Sequence, residues 1–184
     1  MKTPINRPEA SEHAPYYATY VNAAVAKLEE EKLADVRNLL TAQVDQLESL
    51  LNSITDEQAN RAYAEGKWTL KESIVHMCDT ERVFSYRTMR IARADSTPLP
   101  GFEQDDYVPE SRANSRTLQD ILAEFRAIRG ATVALVNSLD EIAFGKVGVA
   151  SGQPVSVRAL CWITAGHAAH HIAITRDRYL SAVR

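Results

Sequence analysis

The chain has 184 residues, of which 45% are hydrophobic and 24% charged, and its formal net charge is −3. These values are typical of one globular domain. Because the chain has no excess of positive charge, we expect no nucleic-acid partner. Two cysteines and a polar N-terminal segment favour the reducing cytoplasm over secretion, and the most apolar run, 155–174, is interrupted by charge and histidines, so we expect no membrane span.

The N-terminal part of the chain divides into an arm and the start of a helical domain. Residues 1–15 contain three prolines and few apolar side chains, so we predict an arm there and a single domain over 16–184. The aromatic piece from Tyr16 to Val21 predicts one or two helical turns on the outside of the domain. A first long helix is predicted from Leu33 to Ser53, where apolar residues recur every three or four positions, although nothing before it marks a clear start.

The second helix is predicted from a capping signal. Thr69 and Glu72 have the spacing of a capping box, and the apolar pattern continues to Ala94, where the Pro- and Gly-containing run 95–101 ends it. The connection over 95–116 is long for a small bundle, and connections of this length are commonly functional.

Two further helices complete the predicted fold. One is predicted over Thr117–Leu139 and the other from Ser156 or Val157 to Leu180, separated by the glycine-bearing stretch 145–154, which we interpret as a turn. Four long amphipathic helices with no convincing period-two run predict an all-α protein, most simply a four-helix bundle.

Histidines are concentrated in the last helix. Three of the five histidines, His167, His170 and His171, lie in one five-residue window. At about 100° per residue all three fall within an arc of about 100°, so any two can approach one ion. His76, on the second helix, would in isolation be more typical of a core residue, but bundles build metal sites from facing helices.

Three imidazoles with an open position form a catalytic zinc-type site, and nickel suits the same ligands. On spacing alone, either His170 or His171 can be the third ligand beside His76 and His167. Asp79 and Glu72 share the face of His76 and could accept its second ring N–H, although Glu72 is better explained as the capping carboxylate.

Other polar residues receive weaker predictions. Cys78 and Cys161 are expected in the core, because neither shares a face with the histidines. We expect the three arginines of the central region to be solvated charges, with anion attraction as the alternative, and Tyr107 is a candidate pocket wall or proton donor; the arginines are Arg82, Arg87 and Arg112. Glu-x-x-His pairs and the zincin pattern are absent from the sequence, which argues against a di-iron site or that protease class.

Several motifs, in order, resemble the DinB/YfiT-like superfamily of metal-binding helical bundles. They are Gly66-Lys67-Trp68-Thr69-Leu70-Lys71-Glu72 leading to His76, His76-Met77-Cys78-Asp79-Thr80-Glu81-Arg82, Pro98-Leu99-Pro100-Gly101-Phe102, Asp105-Asp106-Tyr107, Ala150-Ser151-Gly152 and Gly166-His167-Ala168-Ala169-His170-His171. The resemblance extends from about Tyr16 to the C-terminus.

The resemblance implies a four-helix bundle, commonly a homodimer, with a divalent metal held by His76, His167 and His171. With His171 as the third ligand, His170 becomes a possible neighbour behind the ligands, as Asp79 is on helical spacing alone. Relatives in the superfamily include transferases and isomerases that use mycothiol, bacillithiol or glutathione, whose thiolate the metal activates. Some thiol-dependent isomerases carry a glutamate at the position of His167, and this chain departs from them there.

These observations predict a metal-dependent enzyme, with zinc or nickel, that activates a low-molecular-weight thiol or water for transfer to a small electrophile. A thiol S-transferase or isomerase is favoured over a hydrolase. The alternative from another class is a stress-associated metal-binding or interaction protein without turnover. We expect a small-molecule substrate in either enzyme class.

Overall fold

The structure, a computed structural model, describes residues 3–182. Its α-helices are Ala18–Glu30 (α1), Val36–Leu51 (α2), Asp56–Ala59 (α3), Leu70–Ala92 (α4), Gln104–Glu110 (α5), Leu118–Asn137 (α6), Glu141–Phe144 (α7), Val157–Ile174 (α8) and Leu180–Ala182 (α9). Two strands, Val147–Ala150 (β1) and Gln153–Ser156 (β2), form a hairpin. Short 3₁₀-helices span Ala10–Glu12, Pro15–Tyr17 and Ala113–Ser115, and a π-helical turn, Thr175–Tyr179, follows α8.

Four of the long helices form a closed bundle. α2 and α4 lie diagonally opposite each other, and each packs against both α6 and α8. The fifth long helix, α1, packs along α8 and also touches α2, outside this ring. The predicted all-α class and four-helix bundle are confirmed. Among the residues described, no helix is long and apolar enough to cross a membrane.

Side-chain hydrogen bonds cap the first turns of α4 and α8. The Thr69 hydroxyl accepts a hydrogen bond from the Glu72 N–H at 3.1 Å, and the Glu72 carboxylate accepts one from the Thr69 N–H at 2.8 Å. These two hydrogen bonds form the predicted capping box at the start of α4. Glu72 therefore has the capping role that the sequence favoured for it. Ser156 caps α8 in the same way, accepting from the Ala159 N–H at 2.9 Å.

The prediction of one or two turns near Tyr16 was too short. That piece leads into α1, a 13-residue helix that buries Val21 and Ala24 against the bundle. Its interior is rich in alanine, which favours helix formation strongly but contributes little to a hydrophobic pattern. The chain leaves α1 through Lys32, in the left-handed region at φ 53°, and Asp35 caps α2 by accepting from the Arg37 N–H at 2.8 Å.

The interpretation of residues 145–154 as a turn alone was wrong, because the region forms the antiparallel hairpin β1–β2. Ser151 and Gly152 occupy its two-residue turn with φ of 52° and 74°, the combination required by a type I′ turn. Strands of four residues are too short for an alternation of apolar and polar residues to be recognised in the sequence. The hairpin also fixes the preceding connection, since the Leu99 N–H donates to the Val149 carbonyl at 2.9 Å.

Two segments expected to be irregular are ordered against the bundle. The connection over 95–116 contains α5 and a 3₁₀ turn. In the N-terminal arm Ile5 is buried, and its carbonyl accepts a hydrogen bond from Trp162 Nε1 at 3.2 Å. Glu12 pairs with Arg158 at 2.8 Å near the start of α8. The arm therefore packs along α8, and the helical parts of the connection pack against α4.

Candidate metal centre

Three buried histidines meet between α4 and α8. His76 projects from α4, while His167 and His171 project from successive turns of α8. One ring nitrogen of each lies within 4.8 Å of one ring nitrogen of each of the others. The Nε2 atoms of His76 and His167 are 3.1 Å apart. The exposed fractions of His76, His167 and His171 are 4%, 5% and 8%, so water has little access to the rings.

Burial keeps these imidazoles neutral. It lowers the pKa of His76 to about 4 and that of His171 to about 3, and it holds the pKa of His167 well below its usual value. Neighbouring histidines lower the pKa of His167 and His171 further, whereas the carboxylate of Asp105 acts in the opposite direction on His76. At neutral pH each ring therefore has a lone pair available to a cation.

Hydroxyl groups lie behind two of the rings. Thr80 Oγ1 is 3.4 Å from Nδ1 of His76, and Ser73 Oγ is 3.3 Å from Nδ1 of His171. Both hydroxyls can accept an Nδ1–H, which directs the Nε2 lone pair of each ring toward the cluster. The carboxylate of Asp79, the other candidate for this position, accepts a hydrogen bond from Arg82 at 3.2 Å.

The donor set fits a divalent cation. Thr80 directs the Nε2 lone pair of His76 toward Nε2 of His167, 3.1 Å away. With His167 protonated at Nδ1 the two lone pairs face each other, an arrangement that is favourable only with a cation between them. Metal–nitrogen bonds of about 2.0–2.1 Å at tetrahedral angles place two ligand nitrogens about 3.3 Å apart. Three imidazoles suit zinc or nickel and leave further coordination positions for a small molecule.

His170 lies outside this group. It is only half-buried, and its ring centroid is 5.7 Å from that of Tyr20 on α1. The rotation of α8 that directs His167 and His171 toward His76 turns His170 toward α1 instead. Of the two residues that spacing alone could not separate, His171 joins the cluster and His170 does not.

Aromatic rings enclose the histidines. The centroid of Trp68 lies 4.8 Å from that of His76, and Tyr20 lies 5.2 Å from His167 in an edge-on arrangement. Phe84 approaches His167 at 6.1 Å. This apolar surround strengthens electrostatic interactions at the cluster by excluding water.

Two clefts reach the cluster, one at His171 and one at His167. The His171 cleft, of about 330 Å³, is lined by His171, Trp68, Ser73 and Tyr179 among others. The His167 cleft has a similar volume of about 330 Å³ and is lined by His167, Tyr17, Thr80 and Arg87 among others. Asp105, in the first turn of α5, lines both clefts. Each cleft has room for part of a small molecule.

The weaker predictions have mixed outcomes. Arg87 is 2% exposed, so the expectation of a solvated charge was wrong. Arg82 is exposed and pairs with Glu124 at 2.6 Å, as expected of a surface charge. Tyr107 is 49% exposed, packs on Phe102 and lines neither cleft.

Cys78 and Cys161 lie in the core as predicted. Both are free and buried, and burial raises the pKa of both thiols, to about 12 for Cys161. They therefore remain protonated at neutral pH and are poor metal ligands or nucleophiles.

Sequence reasoning assigned no role to several residues at the site, among them Ser73, Thr80, Trp68, Tyr20 and Asp105. Ser73 and Thr80 stand three residues before and four residues after His76, so helical spacing alone could have placed both hydroxyls on its face. Trp68 and Tyr20 reach the cluster from a loop and from α1, and only tertiary packing brings them there.

Curated relatives are similar in sequence over most of the chain. A proposed metal-dependent hydrolase from Oceanobacillus iheyensis is 25% identical over 139 residues, covering 70% of this chain and 75% of the relative. A proposed metal-dependent hydrolase from Geobacillus thermodenitrificans is 24% identical over 145 residues, covering 78% and 79%.

Two solved structures share the fold. YfiT from Bacillus subtilis, described as a proposed metal-dependent hydrolase with an unusual four-helix bundle topology, superposes with a TM-score of 0.65 at 15% identity, covering 91% of this chain and 88% of that one. A mycothiol-dependent maleylpyruvate isomerase superposes with a TM-score of 0.63 at 12% identity, covering 75% of this chain and 58% of that one.

A family model matches the region that contains the bundle and all three clustered histidines. The match covers residues 38–175, which is most of the chain, and the model describes the DinB superfamily. It begins within α2 and ends just after α8, so it includes every helix of the closed ring. The chain belongs to the DinB superfamily.

Proposed function

We propose that this protein is a divalent-metal-dependent enzyme that activates a low-molecular-weight thiol for transfer to a small electrophile. The observation that carries the proposal is the convergence of three buried, neutral imidazoles between two separate clefts. A transfer between two small molecules needs two binding spaces that meet at one reactive point, and the clefts provide them. The solved isomerase that uses mycothiol has the same fold, which is consistent with this choice.

The residues around the cluster suit this reaction. His76, His167 and His171 would hold the ion, which when bound lowers the pKa of a thiol or water held beside it. Asp105 faces both clefts, and its carboxylate is positioned to accept the proton that the thiol releases. Trp68 and Tyr20 exclude bulk water, which would compete with the thiol for the electrophile.

Hydrolysis is the second candidate, because the curated relatives from two genera are described as proposed metal-dependent hydrolases. The same residues would then activate water instead of a thiol, and Asp105 would accept the proton of the water. A metal-binding protein without turnover is the remaining alternative.

Metal content tests the site directly. We expect untagged protein to bind about one equivalent of zinc or nickel, and His76→Ala or His171→Ala to reduce this at least about tenfold, since each removes one of three ligands. His170→Ala is the matched control, because it removes an imidazole from the same stretch without entering the cluster. Elemental analysis by mass spectrometry after dialysis measures the content. A wild-type content below about half an equivalent, unchanged in His76→Ala, would contradict the proposal.

Turnover separates the three functions. We expect metal-loaded protein to form a thioether from mycothiol, bacillithiol or glutathione and an aryl halide, measured by absorbance. Asp105→Asn should lower kcat by about 10²–10⁴ with the metal retained, as for loss of a general base. Hydrolysis of esters or amides without any thiol would favour the second candidate. Metal-dependent thermal stability with neither activity would favour the protein without turnover.

A further inference from the structure

Arg87 is a buried cation without an acidic partner among residues 3–182. Its side chain is 2% exposed, and Nη2 donates to the Pro100 carbonyl at 2.7 Å and to Ser151 Oγ at 2.9 Å, both neutral groups. The other deeply buried arginine of the bundle, Arg129, forms an ion pair with Glu81 at 2.7 Å. A buried guanidinium without a counter-charge is costly, so Arg87 stands where an anion would be stabilised.

Within the part of the chain that the structure describes, no neighbouring group pairs with Arg87 to supply that negative charge. The Tyr17 hydroxyl hydrogen-bonds to Arg87, but burial raises the pKa of Tyr17 to about 12, so the phenol stays neutral. Glu103 and Asp105 line the same cleft without forming an ion pair with Arg87 among the described residues. The guanidinium is thus oriented by neutral acceptors.

The His167 cleft connects this cation to the histidine cluster. The ring of Phe84 neighbours both, with its centroid 6.0 Å from Cζ of Arg87 and 6.1 Å from the centroid of His167. A ligand along this ring can contact Arg87 at one end and approach His167 at the other. The cleft volume of about 330 Å³ limits such a ligand to a small molecule.

The charges of the cleft restrict the ligand further. A planar guanidinium matches a planar carboxylate through paired hydrogen bonds. Glu103 and Asp105 repel a ligand that carries several negative charges. We propose that the His167 cleft binds a small molecule through a single carboxylate at Arg87 and so directs the other end of that molecule toward His167. The proposal rests on the proposed function, since it assigns the class of the electrophilic substrate.

Binding of benzoate tests the subsite, with benzamide as its neutral counterpart. We expect calorimetry to show benzoate binding to wild type, both metal-loaded and metal-free, at least about tenfold more tightly than benzamide. Arg87→Gln should remove this preference, and Arg87→Lys should retain part of it, because it keeps the charge but loses the planar fork. Arg82→Gln, an exposed arginine on the same helix, should leave it unchanged.

Several outcomes would overturn the proposal. Equal affinity for benzoate and benzamide, or tighter binding of inorganic phosphate than of benzoate, would contradict a single-carboxylate subsite. Benzoate binding that disappears on metal removal and persists in Arg87→Gln would place the carboxylate on the metal. Circular dichroism checks the fold of each variant. If Arg87→Gln does not fold, Ser151→Ala decides, since it should weaken benzoate binding by removing one acceptor that orients the guanidinium.

Failure of this proposal is distinguishable from failure of the proposed function. A protein with a full equivalent of metal and thiol-dependent turnover, but no preference for benzoate, would lose only the subsite. A preference for benzoate in a wild-type protein that retains less than about half an equivalent of metal and shows no thiol-dependent turnover would leave the anion site and remove the metal-dependent enzyme.

Discussion

Replacing Arg129 with methionine should lower the free energy of unfolding by about 3–5 kcal/mol, as expected when one partner of a buried ion pair is removed. Nε and Nη2 of Arg129 donate to the Glu81 carboxylate at 2.7 and 2.8 Å. Both side chains are almost fully buried, at 1% and 4% exposed. The substitution therefore leaves the Glu81 carboxylate in the core without its counter-charge.

The same arginine joins the bundle helices. Nη1 donates to the Leu40 carbonyl at 2.8 Å and to Gln43 Oε1 at 2.7 Å on α2, and Gln43 Nε2 donates to the Ala165 carbonyl at 2.7 Å on α8. With Glu81 on α4 and Arg129 on α6, one network links all four helices. Ala165 and Glu81 lie near His167 and His76 along their helices, so the network also fixes the approach of the two helices that carry the cluster.

A double variant separates the cost of leaving the Glu81 carboxylate without a counter-charge from the cost of lost packing. Glu81→Met with Arg129→Met should recover much of the stability, because it removes both charges and keeps side-chain volume. Arg126→Met is the surface control, since Arg126 pairs with Asp45 and Glu48 while 53% exposed, and its loss should cost at most about 1 kcal/mol. Urea denaturation measures all three variants. A cost for Arg129→Met no larger than for Arg126→Met would contradict the role of the network.

The features that sequence predicted correctly are local. The capping box at Thr69 depends on two residues three positions apart, and the bundle helices on a repeat of three to four positions. His167 and His171 are one turn apart on α8, so any helix there presents both on one side. These relations hold before the helices pack, so no tertiary information is needed.

The features that sequence did not predict depend on packing between distant segments. Asp79 and Thr80 both stand within one turn of His76, but Asp79 pairs with Arg82, three positions along the same helix, and Glu124 of α6 holds the Arg82 guanidinium there. Arg87 would have remained a surface charge if the hairpin and Pro100 did not cover it. The choice between His170 and His171 likewise required the orientation of α8 against α4.

Gly166→Ala should destabilise the protein by about 3 kcal/mol, at the upper end for overpacking of a core. A Cβ at Gly166 would lie 1.8 Å from the Tyr20 carbonyl oxygen and 2.4 Å from its carbonyl carbon. Both are backbone atoms of α1, so α1 must move away from α8. Helix propensity alone would stabilise the alanine variant by about 1 kcal/mol. The net loss of stability that we expect therefore comes from the steric clash.

The displacement should also reach the candidate metal centre, because Tyr20 packs on His167 with ring centroids 5.2 Å apart. We therefore expect weaker metal retention in Gly166→Ala, measured by titration with a chelator. Gly130→Ala is the matched control, since Gly130 lies within α6 and a Cβ there meets nothing within 4 Å. That variant should gain about 0.5–1 kcal/mol in urea denaturation and keep its metal. Equal stabilisation of Gly166→Ala and Gly130→Ala would contradict the close approach of α1 to α8 at Gly166. Tyr20 would then not form a wall beside His167, because that wall depends on the same approach.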